Sequence, residues 1–89
     1  MTETTLYRLF DRRGALLYVG ITSNLTRRMY HHKSIQPWWL DVHRTEAVIY
    51  PTKTDAFEAE SEIIRSERPR HNHCRIAESY AEKQVRRVR

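Results

Sequence analysis

Two short apolar runs separated by four turn residues constrain this chain more than any other feature of it. Residues 5–10 (TLYRLF) and 15–21 (ALLYVGI) are rich in apolar and aromatic side chains, and Asp11-Arg12-Arg13-Gly14 lies between them. Strand-forming runs bounded by such residues read as a β-hairpin. Asp leading and Gly closing suit a type I turn. With all four residues in the loop, Phe10 pairs with Ala15 and the ladder sets Tyr7 directly opposite Tyr18 on one face; a three-residue loop would separate them.

The remaining elements follow from period and caps. Thr22-Ser23-Asn24 supplies helix-cap candidates, and in LTRRMYHHK the residues Leu25, Arg28, Met29 and His32 fall at helical spacing, so that stripe is expected to face the core. Pro37-Trp38-Trp39 breaks the pattern, and TEAVIYP reads as a third strand ended by Pro51. Thr54 is a candidate cap for a second helix over DAFEAESEIIRSE, which stops before Pro69. Along it Ala56, Ala59, Glu60 and Ile63 share one stripe, and Phe57, Glu60 and Ile64 share its neighbour. Glu58, Glu62 and Glu67 point elsewhere as solvated carboxylates. Residues 70–75 are expected to form a loop, and Ser79-Tyr80-Ala81-Glu82 matches a capping box that opens a short basic helix or tail over 78–89. The order β-β-α-β-α-α predicts an α+β fold in which a small, three-stranded, largely antiparallel sheet is flanked by helices.

A chain of 89 residues with 39% hydrophobic side chains predicts one domain, 1–89, with a modest core and one site. Sixteen Lys and Arg against eleven Asp and Glu give a net charge of +5 and a pI near 9.8, which favours a polyanionic partner. Much of the excess is terminal: Lys83, Arg86, Arg87 and Arg89 sit in a stretch without acids, and without them the charge falls to about +1. The lone Cys74 cannot form an internal disulfide, the start lacks a signal-peptide plan, and no apolar run is long enough to span a membrane. A cytoplasmic location and no membrane partner are expected.

Both amphipathic helices break their own apolar faces with charged or titratable groups. A buried charge without a partner is expensive, so Glu60, Arg28 and His32 should converge on one another, on solvent in a cleft, or on a ligand. An internal Glu60–Arg28 ion pair holding the helices together accounts for the pattern equally well.

Motif order adds to this reading. Leu6-Tyr7, then Tyr18-Val19-Gly20 eleven residues after the first tyrosine, then Arg28 eight after the glycine, resemble the opening of GIY-YIG nucleases. Glu60 to Arg65 running on to Pro69-Arg70-His71-Asn72 is similar to the family's closing motif, with asparagine twelve residues after the glutamate and proline three before the asparagine. The resemblance covers residues 5–73 and is nearest to the incision domain of the bacterial excision-repair nuclease and its stand-alone relatives. Two departures are visible: Thr5-Leu6-Tyr7 stands where the family name has Gly-Ile-Tyr, and Tyr-Val-Gly where it has Tyr-Ile-Gly. Neither removes a tyrosine.

The resemblance implies a metal-dependent endonuclease that hydrolyses DNA phosphodiesters by tyrosine-assisted attack of water, with bacterial or phage-like relatives. Glu60 matches the ligand of one Mg²⁺ or Mn²⁺, ions that accept one or two protein oxygens and keep several waters. Tyr7 matches the general base, although a free phenol with a pKa of about 10 needs something to stabilise its phenolate. Tyr18 would orient the water or Tyr7, and either tyrosine could instead be a core residue with a satisfied hydroxyl. Arg28 matches the residue that binds the scissile phosphate. His32 could share the base role, hold a phosphate oxygen, or only pack. Asn72 either pins the active-site backbone or reaches the phosphate, and Gly20 is expected to allow close approach of backbone to the first helix. Lys83, Arg86, Arg87 and Arg89 would touch phosphates without reading sequence.

Two further clusters carry bland readings beside the functional ones. His71-x-His73-Cys74 offers zinc-type ligands at a spacing too tight for a usual structural site. Trp38-Trp39 could stack on bases, yet adjacent aromatics at such a junction more often cap a core. The rival function is a non-catalytic nucleic-acid-binding module on the same fold, and a protein-interaction domain using the tryptophans and tail is a third class. The DNA expected is double-stranded or branched, with specificity low or supplied by a protein partner.

Overall fold

The computed structural model describes residues 3–72. Strands β1 (Thr4–Phe10) and β2 (Leu16–Thr22) form the expected hairpin, followed by helix α1 (Leu25–Ile35). A 3₁₀ turn (Pro37–Asp41), strand β3 (Arg44–Tyr50) and helix α2 (Lys53–Glu67) complete the order. The sheet runs β2-β1-β3, and β1 is antiparallel to both neighbours. This is the α+β class expected from the sequence. The proposed helix or tail over 78–89, with its capping box, lies outside the described residues.

The hairpin register differs from the expected one, and the turn chemistry explains why. The Asp11 N–H bonds to the Ala15 carbonyl at 2.9 Å and the Gly14 N–H to the Asp11 carbonyl at 3.0 Å, so the loop is three residues, Arg12-Arg13-Gly14. Gly14 takes φ +86°, the left-handed conformation that closes this loop type and that glycine adopts without a side-chain clash. The Asp11 carboxylate accepts from the N–H groups of Arg13 and Ala15 at 2.9 and 2.8 Å, and these bonds, that of Ala15 foremost, hold its pKa below the usual value. Phe10 then pairs with Leu16 and Leu9 with Tyr18, leaving Leu17 as a bulge. Tyr7 is opposite Gly20 rather than Tyr18. The shorter loop and the bulge each shift the partner by one residue. Two shifts restore the face, so Tyr7 and Tyr18 still share a side of the sheet, on the diagonal.

That side holds the buried cluster of Tyr7, Leu9, Leu17 and Tyr18, closed by Leu25 and Met29 of α1 and by Trp38, Trp39 and Val42. The stripe of Leu25, Arg28, Met29 and His32 faces it as expected, with His32 fully covered. Asn24 caps α1, its side chain accepting from the Arg27 N–H at 3.0 Å. On the opposite face by alternation, Arg8 reaches Glu67 of α2 at 3.1 Å, and Glu67 stays solvated, as the sequence suggested. α2 packs against all three strands.

α2 starts two residues earlier than expected. Thr52, not Thr54, is the cap, accepting from the Asp55 N–H at 3.1 Å, a contact that contributes about 1 kcal/mol. Ala56 is buried and Ala59, Glu60, Ile63 and Ile64 are partly so, whereas Phe57 is 57% exposed and the second stripe opens to solvent there. Arg68 ends the helix at φ +50° before the buried Pro69. Residues 70–72 are helical where a loop was expected. Proline is compatible with a first helical turn because its missing N–H has no partner to lose there.

Replacing Gly14 by Ala tests the loop assignment. The left-handed conformation should cost the variant about 1 kcal/mol of stability in urea unfolding, and Asn should restore part of it. Equal stabilities of Gly and Ala would mean that the turn can close without a positive φ.

A tyrosine, arginine and histidine cluster beside a partly buried glutamate

Tyr7 extends from the central strand across β2 and lies over Gly20. A Cβ built on Gly20 would stand 2.5 Å from the Tyr7 hydroxyl oxygen and 2.7 Å from its ζ carbon. Gly20 therefore makes room for the phenol of Tyr7, not for the first helix as the sequence suggested. Beyond the glycine the Tyr7 hydroxyl meets α1. It lies 2.7 Å from Nε2 of His32 and accepts from the Arg28 guanidinium at 3.3 Å. Arg28 and His32 are one turn apart, which is why both reach the same oxygen.

Aromatic rings hold this arrangement from the side. Tyr18 stacks on Tyr7 with centroids 6.0 Å apart and meets the edge of His32 at 4.8 Å. Trp38 stacks on Tyr18 at 5.3 Å and on His71 at 4.9 Å. The tryptophan thus closes the core, in line with its bland reading. It also supports the cluster, which residue spacing could not show because the contact depends on the path of the 3₁₀ turn. His71 spends its ring on this stack; His73 and Cys74 lie outside the described residues.

Burial and the Arg28 charge push the His32 pKa down to about 4, so the ring is neutral at pH 7. Its Nδ1 is buried without a partner among the described residues. Glu60 is affected in the opposite direction: burial raises its pKa, partly countered by the Arg28 charge. The direct Glu60–Arg28 ion pair that the sequence left open is not formed, and among the described residues Glu60 makes no hydrogen bond. The guanidinium is spent on Tyr7 and acts on Glu60 only through its field.

Asn72 is behind the site. Its side-chain oxygen accepts from the Val19 N–H at 2.5 Å and its amide donates to the Val19 carbonyl at 2.9 Å. This two-point bond imitates a strand partner on β2, next to Tyr18. Of the two readings open in the sequence, the geometry is that of a pin on the backbone. Tyr7 meets Tyr18, Gly20, Arg28 and His32, Tyr18 meets His32, Glu60 is coupled to the group through Arg28, and Lys83, Arg86, Arg87 and Arg89 lie outside the described residues.

The family model described as the GIY-YIG catalytic domain matches residues 3–73. A UvrABC system protein C from Francisella philomiragia is 31% identical over 78 residues, and one from Francisella tularensis subsp. novicida is 30% identical over the same length. Each match covers 80% of this chain but 13% of the relative, so the chain spans only a small part of the curated proteins it resembles.

Two measurements test the cluster. Gly20→Ala forces the Tyr7 ring aside and should lower stability by about 1–3 kcal/mol in denaturant unfolding; no loss would mean that the phenol can move freely. His32 gives a pH signature. Between about pH 4 and 6.5 the unfolded chain binds a proton there that the folded chain does not, so stability rises with pH across that window and is complete above it. In His32→Phe the slope should be smaller by up to one proton, the remainder including His71, whose pKa burial also lowers. An unchanged slope would show that His32 titrates as a free histidine.

Proposed function

Because the chain belongs to the GIY-YIG nuclease family, which its catalytic-domain match over residues 3–73 establishes, we propose that it hydrolyses phosphodiester bonds in DNA as a metal-dependent endonuclease. One observation carries the reading. The Tyr7 hydroxyl, withdrawn from bulk water, lies 3.3 Å from a guanidinium and 2.7 Å from a neutral imidazole, and the field of that guanidinium also reaches Glu60, which has no ion pair among the described residues.

Tyr7 is the general base. A phenol gives up its proton more readily when the resulting oxyanion accepts charged or neutral N–H groups. Arg28 supplies one such donor. His32 supplies a second in the tautomer that carries hydrogen on Nε2, and because it is neutral it adds no competing proton. The phenolate so held takes the proton of the attacking water. Tyr18, stacked on Tyr7 and edge-on to His32, fixes the direction of the phenol. Arg28 also faces the charge that grows on the phosphate oxygens, which a planar guanidinium can hold at two points.

The carboxylate donor fits a hard divalent ion. Glu60 is an isolated oxygen ligand, and among the described residues no group of three or more His, Cys, Asp and Glu could form a closed metal site. That suits Mg²⁺ or Mn²⁺, which keep most of their waters, and does not suit structural zinc. Bound at Glu60, the ion would offset charge on the phosphate and on the leaving 3′ oxygen. Asn72 keeps β2 in place behind Tyr18.

A non-catalytic binding module would have no use for a partly buried carboxylate, without an ion pair among the described residues, beside phosphate, which it would repel. DNA repair is the expected setting, since the relatives are components of the UvrABC system. Partner proteins would supply specificity, and the basic residues Lys83, Arg86, Arg87 and Arg89 would add affinity without it. Among the described residues no helix is long and apolar enough to cross a membrane, and the cytoplasm is the proposed compartment.

Glu60→Gln decides between ligand and structural partner. Cleavage of a DNA panel in Mg²⁺ should fall by about 10³-fold or more, the several kcal/mol a catalytic metal contributes. Binding should persist, and stability should hold or rise because a desolvated charge is removed. Normal Mg²⁺-dependent cleavage by the folded Gln variant would end the assignment.

A further inference from the structure

Alongside the cluster, an open pocket of about 590 Å³ follows the outer side of α1, and its walls include Ser23, Arg27, Arg28, Tyr30, His31 and Ser34. That volume lies within the range of small-ligand sites. None of the described residues that line it is acidic. Arg27 spends only its backbone N–H, on the Asn24 cap, and among the described residues its guanidinium has no ion pair or side-chain hydrogen bond. Tyr30 is 73% exposed and offers its ring as an apolar wall. Arg28 belongs to both places, lining the pocket while it donates to Tyr7.

From this the geometry points to a substrate track: the pocket holds the phosphodiester backbone of the nucleic-acid strand next to the bond that is cut, through Arg27 and His31. The inference rests on the nuclease reading and adds a binding surface that the active-site cluster does not include. Arg27 and His31 are four residues apart on one helical face, so a guanidinium and an imidazole present donors to one stretch of backbone. The hydroxyl of Ser23 adds a neutral donor suited to phosphate oxygens, whereas that of Ser34 already donates to the Tyr30 carbonyl at 2.9 Å. The sugar lies against Tyr30. Because Arg28 is shared, a strand seated here leads directly to the Tyr7 hydroxyl.

A cycle between protein and DNA tests this in the full 89-residue chain. Binding of a DNA oligonucleotide is titrated in EDTA over a series of salt concentrations, for the unmodified chain and for Arg27→Ala. The DNA is used unmodified and with a neutral methylphosphonate linkage placed in turn at each position beside the cleaved bond. Arg27→Ala should weaken binding by about tenfold and reduce the salt slope by about one, as loss of one phosphate contact does. At one or two linkage positions the methylphosphonate should weaken the unmodified chain yet cost Arg27→Ala little more, because the same contact is already gone. Arg65→Ala, which removes one positive charge from α2 outside the pocket, should change affinity by less than about twofold. Additive effects at every position, or equal losses in Arg27→Ala and Arg65→Ala, would overturn the track. In that case Mg²⁺-dependent cleavage by the unmodified chain would leave the nuclease reading standing; absence of both cleavage and binding would remove the two together.

Discussion

The hydroxyl of Tyr7 is the point on which the structure turns. A phenol carried into the protein interior costs free energy unless its oxygen is hydrogen-bonded, and here one helix supplies two partners, His32 at 2.7 Å and Arg28 at 3.3 Å. Those bonds fix α1 against the sheet. They also require the phenol to pass over β2, which only a residue without Cβ allows. Gly20, the bulge at Leu17 and the three-residue turn at Gly14 therefore act together: the turn and bulge bring Gly20 opposite Tyr7, and the glycine leaves the space the ring fills.

Electrostatic asymmetry follows from one guanidinium. Arg28 donates to Tyr7 and, together with burial, disfavours protonation of His32, while its field on Glu60 does not fully offset the cost of burying that carboxylate. A neutral imidazole, a cation and a carboxylate that has no ion pair among the described residues thus act on one another. Titratable groups with shifted pKa values gathered in this way are more frequent where chemistry is done than in ordinary structural networks.

A domain this small has little core with which to hold a site rigid, and the structure compensates with directed contacts. Asn72 binds both polar groups of Val19 on β2, and Trp38 is stacked between Tyr18 and His71. Residues from the far end of the described chain are thereby fastened to the strand that carries Tyr18. Loss of either contact would loosen the tyrosine pair without touching the reacting groups.

The sequence by itself determined the three strands, the two long helices, their order and the grouping of Tyr7, Tyr18, Arg28 and His32. Alternation and helical period are local, and the spacing of Tyr7, Tyr18, Arg28, His32 and Glu60 is a property of the linear chain. It also put Tyr7 and Tyr18 on one face, since the turn and the bulge each shift the pairing by one and together leave the alternation unchanged. Only the tertiary structure decided what lies against what. Whether Arg28 pairs with Glu60 or with Tyr7 depends on where a guanidinium ends in three dimensions, and the sequence admitted both. The partner of Gly20, the double bond from Asn72 to Val19 and the stacking of Trp38 between Tyr18 and His71 were undetermined for the same reason. Each is a contact between segments distant along the chain, set by packing geometry that no residue spacing encodes.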